Sequence, residues 1–97
     1  MKTQVISWNH VRDFEMDSHT LIVDIRDPEE YAKSHFSGAV NIPYAEVERH
    51  IQRLQTYSKL VFYCDHGSRS LMMAKRLARM GMTTYSILGG YEAKKGV

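Results

Sequence analysis

The sequence predicts an α/β fold, a three-layer sandwich around a mostly parallel central sheet, and three observations carry that prediction. Leu21-Ile22-Val23-Asp24-Ile25 and Leu60-Val61-Phe62-Tyr63-Cys64 are near-continuous apolar runs rich in β-branched and aromatic residues, as in strands covered on both faces. Stretches of helical periodicity alternate with these runs along the chain. The chain has 97 residues, 43% hydrophobic and 25% charged, enough for one modest core, so a single domain over 1–97 is expected.

The elements follow in order. Val5-Ile6 reads as a first short strand, and Ser7 is a suitable N-cap for a helix from Trp8 to Met16, with Trp8, Val11 and Phe14 on one face. Thr20 to Ile25 is the second strand. Asp27-Pro28-Glu29-Glu30 starts a helix, with Asp as cap, Pro at the first position and acids in the first turn. Tyr44 to Gln55 places Val47, Ile51 and Leu54 on one helical face, and Lys59 to Cys64 is the third strand. Ser68 or Ser70 begins a longer helix to Met80, with Leu71, Ala74, Leu77 and Ala78 inward and Lys75, Arg76 and Arg79 outward. Gly81 takes the C′ position. Thr83 to Ile87 is the last strand, and Gly89-Gly90 opens a short helix at Tyr91.

Composition removes several function classes. Thirteen Lys+Arg against eleven Asp+Glu leave a formal charge of +2, too slight a surplus to indicate nucleic acid or an anionic membrane as partner. No segment approaches the roughly 18 apolar residues of a membrane span. Met1 to His10 turns polar before a signal-peptide core can form. The single cysteine excludes an intrachain disulfide, and a cytoplasmic location is expected.

That cysteine stands where chemistry collects in parallel sheets, beyond the carboxyl end of a strand. Cys64 closes an apolar strand, and Asp65-His66-Gly67-Ser68-Arg69-Ser70 leads directly into a helix. Unpaired N–H groups at the helix start, its dipole, a turn through Gly67 and the Arg69 guanidinium all favour a sulfur anion. Asp65 opposes one if it points inward, and His66 helps when protonated. On position alone, Cys64 reads equally as a buried structural cysteine or as a nucleophile.

The run Tyr63-Cys64-Asp65-His66-Gly67-Ser68-Arg69-Ser70 resembles the active-site loop of the rhodanese-like domain family: a strand, Cys-x-x-Gly-x-Arg-Ser/Thr, then a helix. Three further segments, 21–31, 35–43 and 88–93, resemble the family in the same order, so the likeness covers nearly the whole chain. It implies a sulfurtransferase with Cys64 as nucleophile and Asp65, His66, Gly67, Ser68 and Arg69 as the substrate-binding loop. Sulfane sulfur from a thiosulfate-like or persulfide donor would pass through a Cys64 persulfide to a thiol or protein acceptor, without metal or organic cofactor. The alternatives are a non-catalytic binding or redox-sensing module and, further off, a small cysteine phosphatase. Such phosphatases resemble rhodaneses but have a longer interval between Cys and Arg; here only Asp65, His66, Gly67 and Ser68 intervene.

Three positions depart from the family pattern. Asp65 and His66 occupy places often cationic in thiosulfate-using members, Ser34 replaces a common glycine, and Lys94 stands where a tryptophan is usual. Asp24 and Arg26 read as structural, since a carboxylate at the end of a buried strand needs a partner. His35 reads as a loop anchor, and His10, His19 and His50 as exposed. Met72, Met73, Met80 and Met82 read as core filler and helix edge.

Overall fold

A computed structural model describes residues 2–95. Five strands form one sheet: β1 (Lys2–Ile6), β2 (Thr20–Asp24), β3 (Val40–Asn41), β4 (Lys59–Tyr63) and β5 (Thr83–Ile87). Their order is β1-β5-β4-β2-β3, and every neighbouring pair is parallel. The helices are α1 (Trp8–Glu15), α2 (Pro28–Lys33), α3 (Ile51–Leu54), α4 (Ser68–Ala78) and α5 (Gly90–Lys95). Among the described residues, no helix is long and apolar enough to cross a membrane.

Strand alternation divides the core into two layers. Leu21, Val23 and Ile25, with Leu60, Phe62 and Cys64, pack on one face against Leu54, Met73, Ala74 and Leu77. Ile22, Val61, Tyr63 and Ile87 pack on the other against Val11 and Tyr91, flanked by Trp8, Phe14 and Phe36. Each fully buried side chain of this size stabilises the fold by about 1.5–3 kcal/mol. The same alternation assigns Cys64 to the α4 side of the sheet.

The structure departs from the sequence expectations in local ways. Over 44–55 the chain forms a 3₁₀ segment, Tyr44–His50, before the single turn of α3. Val47 and Leu54 are buried as expected and Ile51 is half-buried; Val47 is the one buried residue of the 3₁₀ segment, and a single position shows no period. β3, two residues paired with Val23 and Asp24, is too short to show a period. Neither Ser7 nor Asp27 caps through its side chain: His10 N–H donates to the Ser7 carbonyl, and Glu30 and Tyr31 N–H to that of Asp27. α4 ends at Ala78, and Gly81, at φ +97°, makes the turn that lets Met82 N–H donate to the Leu77 carbonyl. Leu71 is only half-buried and Met73 takes the inward place, while His50 is half-buried rather than exposed. Met82 is buried, but Met72 and Met80 are exposed.

Candidate active site

Cys64 follows the last residue of β4, with 6% of its surface exposed. Gly67 caps α4 at φ +104° and ψ −19°, a left-handed conformation that side-chain-bearing residues rarely adopt. That turn directs the Gly67 N–H to Cys64 Sγ at 3.1 Å, and the Ser70 N–H, one helical turn on, donates at 3.4 Å. The thiol donates to Ser70 Oγ at 3.6 Å. Ser70 Oγ in turn donates to the Gly67 carbonyl at 3.0 Å and lies 2.8 Å from Ser86 Oγ on β5. Two main-chain donors at a helix N-terminus thus meet one sulfur, an arrangement that stabilises negative charge there.

The β5–α5 turn pins this loop from behind. Tyr91 N–H donates to the Cys64 carbonyl at 2.7 Å and Glu92 N–H to that of Asp65 at 3.0 Å, so the loop satisfies the first amides of α5. The fit excludes a side chain at Gly90, whose φ is +61°: a Cβ there would lie 2.4 Å from the Cys64 carbonyl oxygen. Trp8 Nε1–H donates to the Gly90 carbonyl at 2.9 Å, fixing the turn in its own place.

Beside the loop, Arg26 and Asp24 satisfy each other. Asp24 is fully buried and accepts from the Arg26 main-chain N–H (2.9 Å), Nε (3.1 Å) and Nη2 (2.8 Å). Arg26 also donates to the Ser34 carbonyl at 2.7 Å, and its guanidinium lies 4.3 Å from the centre of the Tyr91 ring. Burial disfavours the charged guanidinium, but hydrogen bonds to Asp24 and that carboxylate's charge outweigh it, and the Arg26 pKa rises. Burial also pushes the Tyr63 phenol up; its oxygen accepts from Phe36 N–H at 3.0 Å. His35 anchors its loop, Nδ1 donating to the Tyr31 carbonyl at 2.7 Å while its ring stacks on Tyr31.

A cleft of about 270 Å³ opens over Cys64. Asp65, His66, Ser68 and Arg69 line it from the loop side, Asp27 and Glu30 from across. Cys64 lines it together with four of the five loop residues named from the motif; Gly67 does not line it and meets the sulfur only through its amide. The rim carries three carboxylates against the single permanent cation of Arg69, whose guanidinium sits 5.6 Å from the centre of the Tyr44 ring. Asp65 lies 3.9 Å from Arg26 Nη1, which offsets part of its charge. Sequence reasoning assigned no role to Ser86 or to the clamp at Gly90. The sequence shows only polar Thr84 and Ser86 at alternate positions of β5; their burial, and the pairing of Ser86 with Ser70, come from the strand order.

A family model of the rhodanese-like domain matches residues 8–96. The thiosulfate sulfurtransferase GlpE of Pseudomonas fluorescens is 36% identical over 73 residues, 74% of this chain and 67% of the relative. The tRNA sulfurtransferase of Pyrobaculum aerophilum is 38% identical over 78 residues, 77% of this chain, and the match spans only 16% of that longer protein. Among solved structures, Rhodopseudomonas palustris RPA3614, described as a "Possible Tyrosine Phosphatase", superposes with a TM-score of 0.80 at 28% identity, covering 99% of this chain and 80% of that one.

Proposed function

Because this chain belongs to the rhodanese-like domain family, we propose that it is a sulfurtransferase that carries the transferred sulfur as a persulfide on Cys64. The observation that carries the reading is the pair of main-chain N–H groups, from Gly67 and Ser70, converging on Sγ at the foot of an open cleft. The Cys64 thiolate attacks the outer sulfur of a donor; a new S–S bond forms, the donor's own bond to that sulfur breaks, and the remainder leaves with the electron pair. The thiolate of an acceptor, a small thiol or a protein cysteine, then attacks the outer sulfur; the acceptor becomes the persulfide, the Cys64 S–S bond breaks and Cys64 leaves as thiolate. Neither step needs a metal or an organic cofactor. Gly67 and Ser70 amides stabilise the sulfur anion at each stage, as an oxyanion hole does for oxygen.

The charge at the rim bears on the donor. Asp27, Glu30 and Asp65 repel a dianion such as thiosulfate more than a singly charged persulfide, so a persulfide is the better donor at neutral pH. The short interval from Cys64 to Arg69 fits a sulfur atom rather than a tetrahedral phosphate, and aryl phosphate should not be turned over. Thiocyanate formation from cyanide, with thiosulfate or the singly charged persulfide of 2-mercaptoethanol as donor, tests the proposal. Wild type should turn over, faster with the persulfide, and Cys64→Ser should not. Absence of turnover with every donor would leave a binding or redox-sensing module.

A further inference from the structure

Three clefts run end to end along α4. The Cys64 cleft shares Asp27 and Arg69 with a second of about 440 Å³, which shares Tyr44 and Met72 with a third of about 330 Å³ reaching Lys75, Arg76 and Arg79. Along the α4 wall, Arg69, Met72, Arg76 and Arg79 recur every three or four residues and so form one stripe. At 1.5 Å per residue the stripe is about 15 Å long, the reach of about five residues of extended chain. A small donor needs only the first cleft.

The charge along this trough is divided, with carboxylates at the Cys64 end and cations at the far end. α4 contains no acidic residue. Of the cations, Arg76 meets Glu48 at 3.4 Å in an exposed pair of little strength. Among the described residues Lys75 and Arg79 make no ion pair. A helix dipole favours cations in the last turn, which accounts for Lys75, Arg76 and Arg79 without a ligand. It does not account for Arg69, a cation in the first turn, or for Met72, left 61% exposed between the charges.

Resting on the sulfur-transfer reading, we infer that the trough seats an extended acidic segment of a protein sulfur acceptor. Its acidic residues lie over Lys75, Arg76 and Arg79, an apolar side chain meets Met72 and Tyr44, and a cysteine reaches the Cys64 cleft. The acidic rim there fixes the direction, since carboxylates are repelled from the mouth and drawn toward Arg79. The partner's cysteine thiolate attacks the outer sulfur of the Cys64 persulfide; the Cys64–S bond breaks, the partner becomes the persulfide and Cys64 leaves as thiolate.

The test uses two synthetic peptides, each with one cysteine, one leucine and a run of either glutamates or lysines. The protein is loaded with sulfur, and peptide persulfide is followed by mass spectrometry at low salt. The acidic peptide should be sulfurated about tenfold faster than the basic one. In Lys75→Glu/Arg79→Glu, and less sharply in Lys75→Ala/Arg79→Ala, the preference should vanish while loading from the small donor is unchanged. Circular dichroism checks the fold of both variants. Equal rates with the two peptides, or a preference surviving in both variants, would overturn the inference. Binding of cysteine-to-serine peptides to unloaded protein, read by fluorescence anisotropy, separates docking from sulfur loading. Docking should hold there even if no sulfur loads, and tighter binding of a short RNA hairpin than of the acidic peptide would overturn it.

Discussion

β2 and β4 lie side by side in register, Asp24 opposite Tyr63, and each ends in a group suited to chemistry. At the end of β2, Asp24 and Arg26 satisfy each other: each is buried, and the guanidinium donates to the carboxylate and to the Ser34 carbonyl. At the end of β4, Cys64 also receives hydrogen bonds, but a cleft opens above it. A buried charge with all its partners serves the fold, whereas a nucleophile needs one side free for a reacting atom. On the proposed reading, neighbouring positions at the carboxyl end of the sheet divide structural and chemical duty.

That division can be broken from the structural side first. Asp24→Ala strands a buried guanidinium and should cost about 3–5 kcal/mol in denaturant unfolding. If the variant remains folded, sulfur loading on Cys64 should persist; equal loss of loading at full stability would mean that Asp24 acts on the sulfur directly. Gly90→Ala tests the clamp that joins the two duties. The backbone angle alone costs about 1–2 kcal/mol for a residue with a Cβ. The 2.4 Å approach to the Cys64 carbonyl must also be relieved by moving the loop. Thermal denaturation should show the stability loss, and stopped-flow loading of Cys64 should slow with it.

Asp65→Asn sharpens the comparison at the contact between the two strand ends. It removes one negative charge from the cleft and frees Arg26 Nη1 from its distant partner. Loading from thiosulfate should rise several-fold and loading from a singly charged persulfide less; a fall in both would show that Asp65 is needed for the reaction.

The smallest effect is expected far from either strand end. Hydrogen bonds from His19 N–H and the Thr20 hydroxyl hold the Asp17 carboxyl below its ordinary range. Its stabilising contribution is therefore complete above the usual carboxylate range and lost as pH falls through the depressed value. Asp17→Ala should lower the thermal midpoint slightly at neutral pH, with the gap to wild type narrowing in strong acid.

The parts legible in the sequence were those with a repeating physical signal. Continuous apolar runs marked β2 and β4, and the Cys64 to Ser70 segment marked a strand–turn–helix with a left-handed glycine at its corner. Partnership was harder to read. The need of Asp24 for a partner was plain, and Arg26 supplies it, but the Ser70–Ser86 contact depends on β5 lying beside β4. The clamp at Gly90 was missed because a glycine's close approach leaves no trace in periodicity. The 3₁₀ segment has no signature of its own, since Val47 is its one buried residue and a single position carries no period. The sense of the Asp65 effect is legible from its charge; its place beside Arg26, which offsets part of that charge, is not.

The most direct test is an intact-mass measurement after a single exposure to glutathione persulfide under non-reducing conditions. Wild type should gain the mass of one sulfur atom, removable by cyanide, and Cys64→Ser should gain none. An adduct that survives in Cys64→Ser, or no adduct on folded wild type, would contradict the account.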